Sequence, residues 1–182
     1  MNLSTFINSA YSLTDFFCQC TKEGLSFNYS KEKLPLLFQR LRDLGKQAEK
    51  TMFFATKGVN THKGIIFSGG ILCGAIGYHI SNKNMDFSSE DFLSSLSEIC
   101  CHMLPELLDD YHQLTLNTAK TNGEKLYLQY KITGIRGEAQ NGFPHLFTMG
   151  IPIFKSALEK GFSYYAFTLH RLHGGHQPNY TF

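Results

Sequence analysis

Between Ala55 and Gly70 the chain reads Ala-Thr-Lys-Gly-Val-Asn-Thr-His-Lys-Gly-Ile-Ile-Phe-Ser-Gly-Gly, a short polar interruption of an apolar helical pattern. It concentrates the cations Lys57 and Lys63, the glycines Gly58 and Gly64, the amide of Asn60, the hydroxyl of Thr61 and the imidazole of His62. Backbone N–H groups left uncovered by glycine, a helix start just downstream and flanking lysines together favour an anion, above all a phosphate chain. The spacing Gly-x-x-x-x-Gly-Lys-Ser/Thr is absent, so this is not a Walker-type loop. A plain helix–loop–helix turn with solvated lysines uses the same residue types, and the stretch alone does not separate the two readings.

A second polar interruption runs Thr133-Gly134-Ile135-Arg136-Gly137-Glu138-Ala139-Gln140-Asn141-Gly142-Phe143-Pro144. Here an arginine and a carboxylate stand on either side of Gly137. The expectation is two glycine-rich polar loops facing one cavity.

The elements that must carry these loops read as helices throughout. Leu3, Phe6, Ile7, Ala10, Leu13, Phe16, Phe17 and Cys20 fall at spacings of three and four, which predicts one amphipathic helix stopped by Gly24. Leu34, Leu37, Phe38, Leu41 and Leu44 predict a second, with Pro35 in its first turn and Gly45 ending or kinking it. Ala48, Met52 and Ala55 line a third that leads into the first polar stretch. From Gly64 a fourth helix follows despite glycines at 64, 69, 70, 74 and 77, each costing about 1 kcal/mol against alanine in a helix interior. Gly70, Gly74 and Gly77 give that helix a bare face on which another backbone can settle.

Ser88-Ser89-Glu90-Asp91 resembles a capping box for a fifth helix carrying Phe92, Leu93, Leu96, Ile99, Cys100, Met103 and Leu104, which Pro105 breaks. Asp109 to Gly123 reads as a mobile surface connection. Leu126 to Ile132 fits strand and helix periods alike, and helix is favoured because no second strand is at hand. Pro144 and Pro152 mark helix starts and Gly161 a stop. A further helix begins at Tyr164, Tyr165 and Phe167, and residues 171–182 form an irregular tail in which His170, His173 and His176 lead or lie.

At 182 residues the chain has room for one domain with a real core. The expected organisation is a single all-α helical bundle over residues 1–170. A net charge of +2 with 18% charged residues gives no basic field for nucleic acid. The apolar run from Gly64 to Tyr78 falls short of the ~18 residues of a membrane span, so it is expected to be a buried helix. Five cysteines, an odd number, together with a start lacking signal-peptide character, fit the cytoplasm. Cys18, Cys20, Cys100 and Cys101 lack structural-zinc spacing and read as core residues.

Glu49 and Met52 followed by Ala55 to Gly64, and then Thr133 to Ala139 with Gly142-Phe143-Pro144, resemble the two central signatures of the triphosphoribosyl-dephospho-CoA synthases. The similarity covers roughly Asn2 to Phe167, with the signatures in the family's order and at about its separation. The resemblance implies an all-helical cytoplasmic transferase that joins ATP to dephospho-CoA and releases adenine, making the precursor of the citrate lyase prosthetic group; a sister branch serves malonate decarboxylase. It implies Mg²⁺ travelling with ATP. Lys57, Lys63 and Arg136 are then phosphate ligands, with Gly58, Gly64 and Gly137 beside them and Asn60 and Thr61 near the sugar or a metal-bound water. Glu138 is base or metal ligand, and His62 is the acid toward adenine or a phosphate donor.

Two departures accompany it. Relatives carry an upstream His-x-Asp-Met segment and a downstream Asn-Asp-Thr-Asn element, and the expectation is a chain truncated at both ends. A second function therefore stands beside the transferase: an inactive helical domain that binds nucleotide, or that associates with another chain or a second copy through exposed apolar helix faces.

Overall fold

The computed structural model describes residues 2–82 and 90–162, and every regular element among them is helical. Helices α1 (Leu3–Ser12), α2 (Thr14–Leu25), α3 (Leu34–Ala55), α4 (Lys63–Asn82), α5 (Glu90–Met103), α6 (Asn122–Tyr130), α7 (Gly134–Gln140) and α8 (Ile151–Glu159) follow in order. Single turns of 3₁₀-helix at Lys31–Lys33 and Asp109–Gln113 connect them, and a π-helical turn, Leu146–Gly150, leads into α8. The described residues up to Pro144 form one compact unit, and those from His145 to Phe162 belong to a second.

In the first unit α3 and α4 form a hairpin whose connection is the first polar stretch. Leu34, Leu37, Leu41, Ala48 and Met52 are the buried side chains of α3. Helix α4 is the centre of the bundle and packs on α2, α3 and α5. Although it is long and apolar enough to cross a membrane by length and composition, its buried residues from Ile66 to His79 are those expected of a core helix inside a folded unit.

The bare face of α4 does what its glycines suggest. A Cβ on Gly77 would fall on the backbone of Thr21 and Leu25, and one on Gly74 would meet the Leu41 side chain. Gly24, expected to stop a helix, sits instead within α2, and a Cβ there would strike the backbone of Gly74 and Tyr78. Glycine is used here for closeness rather than for a left-handed turn.

Four other expectations change. The first helix divides at Leu13, whose N–H returns to the Ala10 carbonyl (3.2 Å), so α1 ends at Ser12 and α2 begins at Thr14. The division leaves Leu3, Phe6 and Ile7 exposed while Leu13, Phe16 and Cys20 are buried. Gly45 does not interrupt α3; the nearest atom to a Cβ there is a methyl of Ile66 at 3.7 Å. Of the cysteines read as core, Cys20 and Cys100 are buried, Cys101 is half-buried and Cys18 is exposed.

The fourth change concerns the second polar stretch. It is a helix rather than a loop, bounded by positive φ at Gly134 (+57°) and Gly142 (+74°). Seven residues are too few to hold a helix alone, and α7 is fixed by burial of Ala139 and Phe143 against the bundle. The passage from Asp109 to Gly123 is closed by local bonds, including a Thr121/Glu124 capping box that starts α6. Ser88 and Ser89, the helix at Tyr164 and the histidine-bearing tail lie outside the described residues.

In the second unit Pro152 stands in the first turn of α8, and Gly161, with φ +79°, follows its end.

Candidate functional site

The first polar stretch is built from the end of one helix and the start of the next. Helix α3 closes with Gly58 N–H donating to Phe53 O (2.8 Å) and Lys57 N–H to Phe54 O (3.3 Å). This is a Schellman-type end, with Lys57 rather than glycine in the left-handed region at φ +53°. Such a conformation costs a non-glycine residue about 1 kcal/mol, offset in part by a cation at the negative end of α3. The buried Thr56 hydroxyl donates across the turn to Val59 O at 2.6 Å. Asn60 then caps α4, its side-chain oxygen accepting from Lys63 N–H at 3.3 Å.

Lys57, Gly58, Asn60, Lys63 and Gly64 are exposed, while Thr61 and His62 are half-buried. Lys63 pairs with Glu49 at 3.2 Å on the surface, an interaction worth about 1 kcal/mol or less. His62 is held on several sides. Its backbone N–H donates to Met52 Sδ at 3.2 Å, and the Phe6 ring lies 4.3 Å from its own. Ser9 of α1, fully buried, places its hydroxyl 2.7 Å from His62 Nδ1 and 2.6 Å from Thr61 Oγ1.

The second stretch engages different neighbours. Arg136 donates to both oxygens of Asp110 (2.7 and 3.1 Å) and to Leu107 O, and its guanidinium stacks on the Tyr111 ring at 4.5 Å. Gly137 is buried, and the space a Cβ would take is filled by the Thr133 side chain, so its bareness serves the packing of α7 itself. Glu138 is half-buried, and its carbonyl accepts from Phe143 N–H at 2.7 Å to close the helix end. Helix α7 packs on α5, where Ser97 Oγ donates to Gly142 O at 2.9 Å.

Two adjoining cavities, of about 400 and 420 Å³, share Lys31 and Glu32 as walls; Tyr78, His79 and Ser95 line the larger and Cys101 and His102 the smaller. Neither takes a wall from either polar stretch. Among the described residues no three of His, Cys, Asp and Glu converge to hold a metal ion.

Sequence reasoning passed over Ser9, Phe6, Asp110 and Tyr111. Ser9 had a faint signal, since it stands four residues before Leu13 and three after Phe6, a hydroxyl on an apolar stripe. Asp110 and Tyr111 had none.

The fold and site define an all-helical protein with a lysine- and glycine-bearing turn at the head of its central helix. The chain belongs to the ATP:dephospho-CoA triphosphoribosyl transferase family, whose model matches residues 1–172. A probable 2-(5''-triphosphoribosyl)-3'-dephosphocoenzyme-A synthase of Photobacterium profundum is 39% identical over 165 residues, covering 90% of this chain and 50% of that protein. A relative of the same name from Lactiplantibacillus plantarum is 40% identical over 158 residues, covering 85% of this chain and 52% of its own length. The chain thus spans about half the length of the curated relatives it matches. No solved structure matches it.

Proposed function

We propose that this chain takes part in the transfer for which its family is named, joining ATP to dephospho-CoA with release of adenine, in the cytoplasm. The observation that carries the reading is the first polar stretch: Lys57 and Lys63 lie exposed on either side of a turn that leads into the N-terminus of α4. A polyanion is stabilised there by fixed cations and by the positive end of the helix together.

In the reaction a ribose hydroxyl of dephospho-CoA forms a bond to the anomeric carbon of ATP's ribose as the bond from that carbon to adenine breaks. The triphosphate stays on the transferred sugar and serves as the handle. Lys57, Lys63 and Arg136 answer its charge, and Gly58 and Gly64 let it approach the backbone. Asn60 and Thr61 stand beside the sugar. Glu138 takes the proton from the attacking hydroxyl, and His62 supplies one to the leaving adenine. Mg²⁺ enters bound to ATP, as part of the substrate. Such an ion keeps phosphate oxygens and waters and asks the protein for only one or two carboxylates; Glu138 is the carboxylate assigned to it.

The experiment is to incubate the purified chain with ATP, dephospho-CoA and Mg²⁺ and to follow adenine by chromatography. Adenine release that needs both substrates is expected. Glu138→Gln keeps the shape and loses the base, and should lower turnover about 10²-fold or more. Full turnover in that variant would remove Glu138 from the chemistry.

A further inference from the structure

Ser9 is the side chain whose position the reaction scheme leaves unexplained. It is a polar residue with no exposed surface, in a helix whose neighbouring side chains Phe6 and Ile7 are exposed. A buried hydroxyl costs stability unless its bonds are made. Those bonds run to the first polar stretch: Ser9 Oγ lies 2.6 Å from Thr61 Oγ1 and 2.7 Å from His62 Nδ1, and Thr61 Oγ1 is itself 3.1 Å from that nitrogen.

The triangle has one property that matters for proton transfer. Each hydroxyl brings one proton and can also accept. With a proton on Nδ1, the ring donates to Ser9 Oγ and Ser9 donates in turn to Thr61 Oγ1. The charged ring and the neutral ring that has given up its Nε2 proton therefore make the same bond through Nδ1–H, and the triangle need not rearrange when the proton leaves. Among the described residues, hydrogen bonding to the ring falls on Nδ1 alone, so no described bond competes with a ligand for Nε2. Phe6 against the ring face restricts its rotation.

We propose that Ser9 is a positioning residue for His62, holding Nδ1 through the Ser9–Thr61 pair so that Nε2 is the nitrogen that exchanges protons with the substrate. The inference rests on the reading of His62 as the acid toward adenine. An imidazole serves as acid at one nitrogen when the other is held by a fixed partner, which sets both the tautomer and the ring angle.

The test reads the ring directly and then the chemistry. Nitrogen-detected NMR of the ¹⁵N-histidine-labelled chain, with His62 assigned through His62→Gln, should give a hydrogen-bonded Nδ1 and a single tautomer in the neutral ring. In Ser9→Ala the Nδ1 resonance should shift and the tautomers mix. With ATP, dephospho-CoA and Mg²⁺, Ser9→Ala should lower kcat about tenfold, the loss of one such bond in the transition state, and displace the alkaline limb of the pH profile, where the acid loses its proton, while KM for ATP stays within about twofold. Should Ser9→Ala lose the wild-type helical circular dichroism, Thr61→Val carries the nitrogen-detected measurement, since it removes the hydroxyl that Ser9 must bond.

An unchanged Nδ1 resonance and tautomer in the folded variant overturns the proposal, as does a rise in KM with kcat untouched. Full turnover by His62→Gln sinks the acid role of His62 instead. The two failures are thus read in different experiments.

Discussion

The guanidinium of Arg136 is gripped on three sides, by the Asp110 carboxylate, the Leu107 carbonyl and the Tyr111 ring. Its partner Asp110 is well exposed at 62% while Arg136 itself is 28% exposed, so the pair is screened and worth about 1 kcal/mol or less. A triphosphate offers more charge and more acceptor oxygens than one solvated carboxylate, and should displace Asp110 rather than be excluded by it. Arg136→Lys keeps the charge and loses the fork, and ATP binding by calorimetry should weaken about tenfold. Asp110→Asn should tighten it by about fivefold or less, the part of the pair's energy that ATP no longer competes against. Unchanged ATP binding in both variants, with lowered melting, would make Arg136 a clamp between α7 and the turn after α5. The buried thiols give a second residue-scale expectation. Burial pushes Cys20 and Cys100 up to about 12 from an ordinary 9.0. In the unfolded chain each ionises near the lower value while the folded chain keeps its proton. Their contribution to stability is therefore complete below about 9 and is lost as pH rises toward 12. Urea midpoints should fall across that window, and Cys100→Ala should flatten the fall.

The crossing of α2 and α4 is the element-scale feature on which the bundle depends. Gly77→Ala would drive a methyl into the backbone of Thr21 and Leu25, which cannot turn aside as a side chain can. A loss of about 1–3 kcal/mol on thermal unfolding is expected. Gly45→Ala, in the interior of α3 with only ordinary contact to Ile66, should instead gain about 1 kcal/mol from helix propensity. Opposite signs for two identical substitutions separate closeness from flexibility as the reason for a glycine. That distinction is also where sequence reading met its limit. The helices, their stripes and the bare face of α4 are periodic and so were legible, but Gly24 and Gly45 were read by local rules while their surroundings are set by partners distant in sequence. The same holds for the second polar stretch. Gly134 and Gly142 do bound a segment, yet Arg136, Glu138, Ala139 and Gln140 between them are helix formers, and burial of Ala139 and Phe143 decides the outcome. The lysine, glycine and histidine cluster could be seen because it is contiguous. Ser9 and Asp110 could not, because they reach their partners across 53 and 26 residues.

At the scale of the whole chain, the proposed reaction requires the two polar stretches to answer the same ligand. They are presented by different elements, one by the α3–α4 hairpin and one by α7 on α5, both within the unit formed by the described residues up to Pro144. A ligand that binds the folded chain and not the unfolded one raises stability by about 2.7 kcal/mol at a hundredfold excess over Kd, so Mg²⁺–ATP should raise the melting temperature in a concentration-dependent way. Melting alone cannot say where the ligand sits, whereas hydrogen exchange can, because binding lowers the rate of local opening at the segments it touches. If one triphosphate is held by Lys57, Lys63 and Arg136 together, exchange should slow in residues 57–64 and 134–138 at the same ATP concentration. The midpoints should coincide because a single binding event governs both. Slowing in 57–64 alone would confine the phosphate site to the hairpin and leave Arg136 with Asp110. Slowing in 134–138 alone would remove Lys57 and Lys63 from it, and with them the observation on which the proposed function rests.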